Sequence, residues 1–289
     1  MPLFHVHGLV ASLLSALKAG STVIIPPRLS PAFWKDFIMH SATWYTATPT
    51  MHKIILSFQT PEPLPSIRFI RSCSSPLAPQ TLENLEKTFN APVLEAYAMT
   101  EASHQITTNP LPPAPHYPGS VGIPGESVEV RILSTSSDDE DPVADGEEGE
   151  ICIRSLSVTP GYLSNPSANA SSFTARDRFF RTGDYGKFVK QEEGRYLYLT
   201  GRIKEFINKG GEKIGPVEVD NIIAQHPGVQ DVVTFAIEDE MYGQDVGCAI
   251  ILKQGKELRA RDLQKWVRSR MAPLKVPKRV IIFIGDELV

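Results

Sequence analysis

Between Ser21 and Met99 the chain alternates short β-rich runs with helix-periodic ones, and this alternation limits its folds to very few. "STVIIP", "ATWYTATP", "SIRFIRS" and "APVLEAYAM" read as strands. Pro31 opens a helix with Phe33, Trp34, Phe37 and Ile38 on one face. "TMHKIILSF" is helical, and "PQTLENLEKTFN" carries Leu82, Leu85 and Phe89 inward. Ahead of them, Val6 to Ala19 is nearly all apolar and stops at Gly20, a helix with a glycine cap. Strands separated by helices predict a parallel, doubly wound α/β sheet, in which ligands sit beyond the carboxyl ends of the strands.

From about Gly119 the pattern becomes antiparallel. "GSVGIPGESVEVRIL", "GEICIRS" and "GKFVKQEEGRYLYL" are short strands bounded by Gly and Pro, the last a hairpin with Gly194 in its turn. After "GRIKEFINKGGEKIGPVEVD" (Gly201 to Asp220) a third style begins. Pro216 starts a helix with Val219, Ile222 and Ile223 inward, "VVTFAI" and "GCAIIL" are strands, Leu263, Trp266, Val267 and Met271 mark a second helix, and "RVIIFI" a last strand. The predicted organisation is a large α/β part over residues 1–201, then a small α+β module over 202–289. The charged, glycine-bearing stretch is the joint between them.

Of 289 residues, 42% are hydrophobic and 21% charged, with a net charge of −4, which gives no electrostatic case for nucleic acid or an anionic membrane. The acid-rich run Asp138 to Glu150 and the basic stretch Lys253 to Arg279 read as solvated surface. Cys73, Cys152 and Cys248 are too scattered for a disulfide framework and point to a reducing compartment. No apolar run is long enough to span a bilayer, nothing at the start reads as a signal peptide, and "NAS" at Asn169 reads as a chance glycosylation match.

Three loops follow strands and carry polar chemistry. "SCSSPLAP" (Ser72 to Pro79) has small residues that let backbone approach a flat ligand or a phosphate, although a plain strand-to-helix turn explains it equally. "EAYAMTEASH" (Glu95 to His104) delivers an aromatic, a hydroxyl and a carboxylate. Glu101 suits Mg²⁺, yet Thr100 and Glu101 also fit a helix-capping box. "FFRTGD" (Phe179 to Asp184) offers an Asp for ribose hydroxyls, or simply a hairpin turn. A His-x-His metal pair at His5 and His7 lacks any further ligand signal.

Taken in order, "AYAMTE", "RTGD" and "GRIKEFINKGGEKIGPVEVD" resemble the adenylate-forming superfamily of acyl-CoA ligases, adenylation domains and luciferases. "PLFHVHGL" is similar to its acyl-site segment and "SCSSPLAP" to its adenine-side loop. "LEAYAMTEASHQITTNPLPP" and "NKGGEKIGPVEVD" look most like the peroxisomal oxalate–CoA ligase group.

The resemblance implies the C-terminal part of a large adenylate-forming domain, followed by a small lid. It implies that a small carboxylic acid and MgATP give an acyl-adenylate, whose acyl group passes to CoA. Ser74, Ser75, Glu95, Ala96 and Tyr97 would line the adenine. Thr100 would bind the phosphate that becomes AMP, and Glu101 would hold Mg²⁺. Asp184 and Arg202 would take the ribose, and Tyr97, Thr100, Glu101, Asp184 and Arg202 would surround one cleft. His5, Ser103 and His104 would lie near the acyl group. Lys204 would be the hinge, with Gly210 and Gly211 swinging in beside CoA.

By the same resemblance, the Gly/Ser/Thr-rich phosphate loop belongs upstream of "PLFH" and the catalytic lysine downstream of "DEL". The expectation is therefore little ATP–pyrophosphate exchange by these 289 residues, in an acyl-CoA ligase of cytoplasmic or peroxisomal location. The rival expectation is a non-catalytic paralogue that binds nucleotide or a protein partner.

Overall fold

A computed structural model describes residues 1–135 and 140–284. Asp138 and Asp139 of the acid-rich run, and the "DEL" segment, lie outside the described residues. The chain divides into two compact units: residues 1–182 with 186–199, and residues 183–185 with the chain from 200 onward.

In the first unit, strands β1 (Trp44–Ala47), β2 (Phe69–Ser72), β3 (Val93–Met99), β4 (His104–Thr108) and β5 (Ile123–Pro124) form one sheet in that order. β1, β2 and β3 are parallel, and β4 and β5 are antiparallel. The sheet is therefore mixed, and its antiparallel part begins earlier than the sequence pattern suggests. Only a tight turn separates β3 from β4, too little chain for a parallel crossover.

Strand alternation sends Tyr45, Ala47, Ile70 and Val93 to one face, where Trp34, Phe37, Leu82, Leu85 and Phe89 bury them. Three helices supply that cover, Phe33–Met39 with Trp34 and Phe37, Pro49–Ser57 with Ile55, and Pro79–Phe89 with Leu82, Leu85 and Phe89. Pro49–Ser57 is capped by Thr48, whose hydroxyl accepts from Met51 N. Pro79–Phe89 starts on its proline and ends at Asn90 in the left-handed region. On the other face, Thr46 meets a helix that is π-type over His7–Leu14 and α-type over Ser15–Lys18.

Two expectations fail here. Ser21–Pro26 forms no strand, and Ile25 is exposed, because Pro26 and Pro27 offer no N–H to a ladder. Ile38 is exposed, so the inner stripe of helix Phe33–Met39 is Trp34 and Phe37, with Phe33 half-buried.

A second sheet runs β6 (Glu129–Leu133), β7 (Gly149–Arg154), β8 (Phe180–Gln191) and β9 (Gly194–Arg202). Gly194 is the first residue of β9, just past the hairpin turn. The acid-rich run is partly interior: Arg181 donates to both Glu140 and Glu150, and that pairing offsets the cost of burying the carboxylates.

Gly122 sits at φ +85°, where a Cβ would lie 1.9 Å from the Thr108 carbonyl carbon. Gly122→Ala is expected to cost about 2 kcal/mol through this close approach and the positive φ, read as a lowered denaturation midpoint.

In the second unit, β10 (Ile207–Lys209), β11 (Glu212–Ile214), β12 (Val229–Asp239), β13 (Gly243–Leu252) and β14 (Arg279–Ile284) form one sheet. Helices Pro216–Ala224 and Ala260–Arg268 cover one face through Val219, Ile223, Leu263 and Val267, packed on Val246, Cys248 and Ile250. Ile222 is only half-buried, and Met271 packs on this core from beyond its helix.

Candidate active site

A tight turn between β3 and β4 places four of the predicted residues, Thr100, Glu101, Ser103 and His104. Thr100–Ala102 form a single 3₁₀ turn, and Ser103 and His104 follow with φ of 51° and 94°. The chain reverses so sharply that a hydroxyl, a carboxylate and an imidazole emerge within five residues. Thr100 is exposed, and its hydroxyl has no hydrogen-bond partner among the described residues. Glu101 is half-buried, and Ser103 is exposed, its hydroxyl donating to Ser157 O at 2.9 Å.

His104 points inward and is almost fully buried. Arg71 Nη1 donates to its Nε2 at 3.2 Å, and Arg71 Nη2 donates to Gln105 Oε1 at 3.3 Å. A neutral imidazole that accepts at Nε2 carries its proton on Nδ1. That Nδ1 is buried and has no partner among the described residues. The ring of His7 stacks on it at 5.2 Å. His7 is itself held between Ser74 Oγ (2.8 Å from Nδ1) and Thr46 Oγ1 (2.6 Å from Nε2).

Burial, reinforced by the Arg71 charge, depresses both His7 and His104 to about 3, so both rings are neutral. Arg71 is also buried, and burial works against its charge. A guanidinium stays charged in proteins, yet among the described residues its hydrogen-bond partners are all neutral. A buried cation with no counter-charge among the described residues, beside an imidazole N–H that lacks a partner among them, has the donor set for an anionic ligand.

The predicted residues distribute unevenly around this cluster. Ser74, at φ 81°, joins it through His7, and Ser75 is exposed beside it. His5 does not join it in these contacts; it is exposed against the Phe4 ring. His5 lies in the bend before the helix that His7 opens, and of the two only His7 is buried. No cluster of three metal-ligating side chains occurs among the described residues.

Glu95 is buried, and its carboxylate accepts from Gly119 N at 2.9 Å. Burial pushes it up to about 7. Ala96 and Tyr97 are buried too, Tyr97 in a cluster with Ile106, Val121 and Ile151.

In the second unit, Asp184 is buried and its Oδ1 lies 2.8 Å from Arg202 Nε, with the arginine side chain largely exposed. Lys204 is exposed in the 3₁₀ turn Ile203–Glu205. Gly210 and Gly211 have φ of 60° and 94° and make a two-residue turn between β10 and β11, the geometry that requires glycine. Lys209, just before it, forms a buried ion pair with Asp245. The "NKGGEKI" stretch is thus a β-hairpin.

Sequence reasoning missed Arg71 and Tyr162, and weighed His7 only as half of a His-x-His metal pair. For Arg71 a signal existed: an arginine inside "RFIRS", in a strand of a sheet covered on both faces, has to be buried.

Comparison with known proteins fits this geometry. The family described as "AMP-binding enzyme" matches residues 1–163, and "AMP-binding enzyme C-terminal domain" matches residues 218–289. An oxalate–CoA ligase of Saccharomyces cerevisiae is 49% identical over 281 residues, covering 97% of this chain and 50% of the relative. An oxalate–CoA ligase of Arabidopsis thaliana is 48% identical over 295 residues, covering 100% of this chain and 55% of the relative. The chain spans about half the length of the curated relatives it matches. Among solved structures, ATP-bound MatB from Rhodopseudomonas palustris superposes with a TM-score of 0.89 at 28% identity, over 98% of this chain and 55% of that one.

Proposed function

The chain belongs to the AMP-binding enzyme family, and from that premise we propose that it serves an acid–CoA ligase that activates a small carboxylic acid as its adenylate. We further propose that the acid carries a second anionic group. The observation that carries this is Arg71: a buried guanidinium, partnered only by neutral groups among the described residues, beside the free Nδ1–H of His104. Oxalate, named in the two curated relatives, is two carboxylates joined directly, so activating one leaves the other as a second anion.

In this reading Arg71 and His104 hold the distal anion, with the Ser74 hydroxyl, oriented by His7, at its edge. The neutral imidazole donates from Nδ1 and cannot repel the guanidinium. Thr100, exposed and with its hydroxyl unpartnered among the described residues, offers that hydroxyl to a phosphate oxygen. Ser75, Glu95, Ala96 and Tyr97 make the adenine side. Asp184 takes ribose hydroxyls, with Arg202 beside it. Lys204 is the hinge, and the Gly210–Gly211 turn meets CoA.

Magnesium fits Glu101. Its carboxylate is accessible, is a hard oxygen donor, and has no cationic partner among the described residues. Magnesium needs only one or two protein carboxylates when phosphates and water supply the rest, and when bound it would neutralise phosphate charge. No helix among the described residues is long and apolar enough to cross a membrane. Three buried free thiols suit a reducing compartment, cytoplasmic or peroxisomal.

The test uses adenylate mimics in which a sulfamoyl group replaces the phosphate. By calorimetry the malonyl mimic, with its free carboxylate, is expected to bind at least about tenfold more tightly than the acetyl mimic. Equal affinities, or preference for the acetyl mimic, would remove the diacid reading. Failure of both to outbind adenosine would remove the adenylate reading itself.

A further inference from the structure

We infer that Tyr162 is a positioning residue for Glu101, and that the Ser155–Asn169 loop is built to hold it there. The inference rests on the proposal that Glu101 carries the metal of a metal–nucleotide complex.

Three hydrogen bonds tie this loop to the β3–β4 turn. Thr159 N donates to Glu101 O at 2.7 Å, Ser103 Oγ donates to Ser157 O at 2.9 Å, and Tyr162 Oη donates to Glu101 Oε1 at 2.9 Å. The first two fix the backbone on either side of Ala102. The third fixes the carboxylate rotamer. It occupies one oxygen and leaves Oε2 without a partner among the described residues.

Tyr162 is itself clamped. Asn169 Oδ1 accepts from Tyr162 N at 2.6 Å, and Asn169 Nδ2 donates to Tyr162 O at 2.9 Å. Gly161, at φ 150°, lets the Asn169 amide approach so closely that a Cβ would lie 2.9 Å from Oδ1. Asn165 accepts from Ala168 N and caps the short helix Pro166–Ser171 that carries Asn169. An exposed tyrosine on a loop gains nothing for the core from such a frame. The phenol packs loosely, 6.4 Å from the Phe180 ring, and its surface is 37% exposed.

What the frame does supply is a neutral donor. An arginine or lysine at this place would satisfy Glu101 but compete with a cation for its charge. A phenol orients the carboxylate and leaves that charge whole. Glu101 otherwise has several rotamers to choose from at a half-exposed turn, and fixing one removes that entropy before the ligand arrives.

The experiment is calorimetric titration of ATP into the purified protein at a series of Mg²⁺ concentrations, for wild type, Tyr162→Phe, Asn169→Ala and Glu101→Gln. Tyr162→Phe is expected to raise the Mg²⁺ concentration for half-maximal tightening of ATP by roughly tenfold, the scale of one hydrogen bond to a charged group. Its affinity for ATP without Mg²⁺ and its melting temperature should stay at the wild-type values, which a merely structural role would not predict. Asn169→Ala should move the Mg²⁺ response the same way, by less. Glu101→Gln separates the two claims. If it abolishes the Mg²⁺ response while Tyr162→Phe leaves it intact, the positioning inference is overturned and Glu101 keeps its role. If Glu101→Gln leaves the Mg²⁺ response at the wild-type level, or the wild type itself shows no Mg²⁺ effect, the metal reading falls and the inference with it.

Discussion

Arg71→Gln is expected to weaken binding of the malonyl adenylate mimic by roughly 30- to 1,000-fold, the cost of losing one partner of a buried, hydrogen-bonded charge pair. Binding of AMP and of the acetyl mimic should change by less than about threefold, because neither presents an anion to Arg71. The unliganded protein should not lose stability. Its guanidinium is buried against neutral partners among the described residues, so removing it relieves a desolvation cost while glutamine keeps a donor for His104. A second readout is independent of any ligand. The Arg71 charge is the second cause, after burial, of the lowered His7 and His104 values, so both imidazoles should titrate higher in the variant, visible by NMR. Equal losses for the malonyl and acetyl mimics would mean that Arg71 only supports the site, and the distal-anion assignment would fail.

How much of this could be read in the sequence follows from the range of the interactions involved. Helix Pro79–Phe89 was legible because its signals are local: proline at the first turn, leucines three apart, and Asn90 able to go left-handed. The loop motifs were legible as chemistry, since Thr100, Glu101 and His104 sit within five residues. What escaped was pairing over long separations. His7 reaches Ser74 across 67 residues, Tyr162 reaches Glu101 across 61, and Arg181 folds Glu140 and Glu150 inward. Nothing about "FHVHG" alone says that the second histidine is buried and the first exposed, because that depends on which side of a wide-turned helix meets Thr46. The failed strand at Ser21–Pro26 has a different origin. β-Branched composition favoured it, and the two prolines that follow deny it a ladder.

Acidification from pH 7 to pH 5 is expected to act in opposite directions on the two units. In the first, His7, His52 and His104 are buried and neutral, at about 3, 4 and 3, chiefly through burial. Their native values lie below the unfolded value of 6.5, so the unfolded chain takes up more protons and stability is lost as pH falls through that range. At pH 5 each histidine costs about 2 kcal/mol, or about 6 kcal/mol together. Glu95 works the other way. Its native value is raised by burial to about 7, so it favours the folded state as pH falls toward 4.5, returning about 2 kcal/mol. The first unit should therefore lose about 3 to 4 kcal/mol, a large share of a domain's total stability. The second unit holds Asp220, half-buried on helix Pro216–Ala224 and raised by burial to about 6, which contributes about 1 kcal/mol in favour of folding over the same change. His226, lowered mainly by burial, takes back part of it. Hydrogen exchange resolved by peptide at pH 7 and pH 5, corrected for intrinsic rates, should show protection falling across β1 to β4 and holding across β12 and β13. His52→Gln should remove about a third of the histidine contribution without touching any proposed ligand contact. Equal loss of protection in both sheets, or greater protection of β1 to β4 at pH 5, would mean that these histidines are not neutral in the native state, and the tautomer assigned to His104 would fall with that.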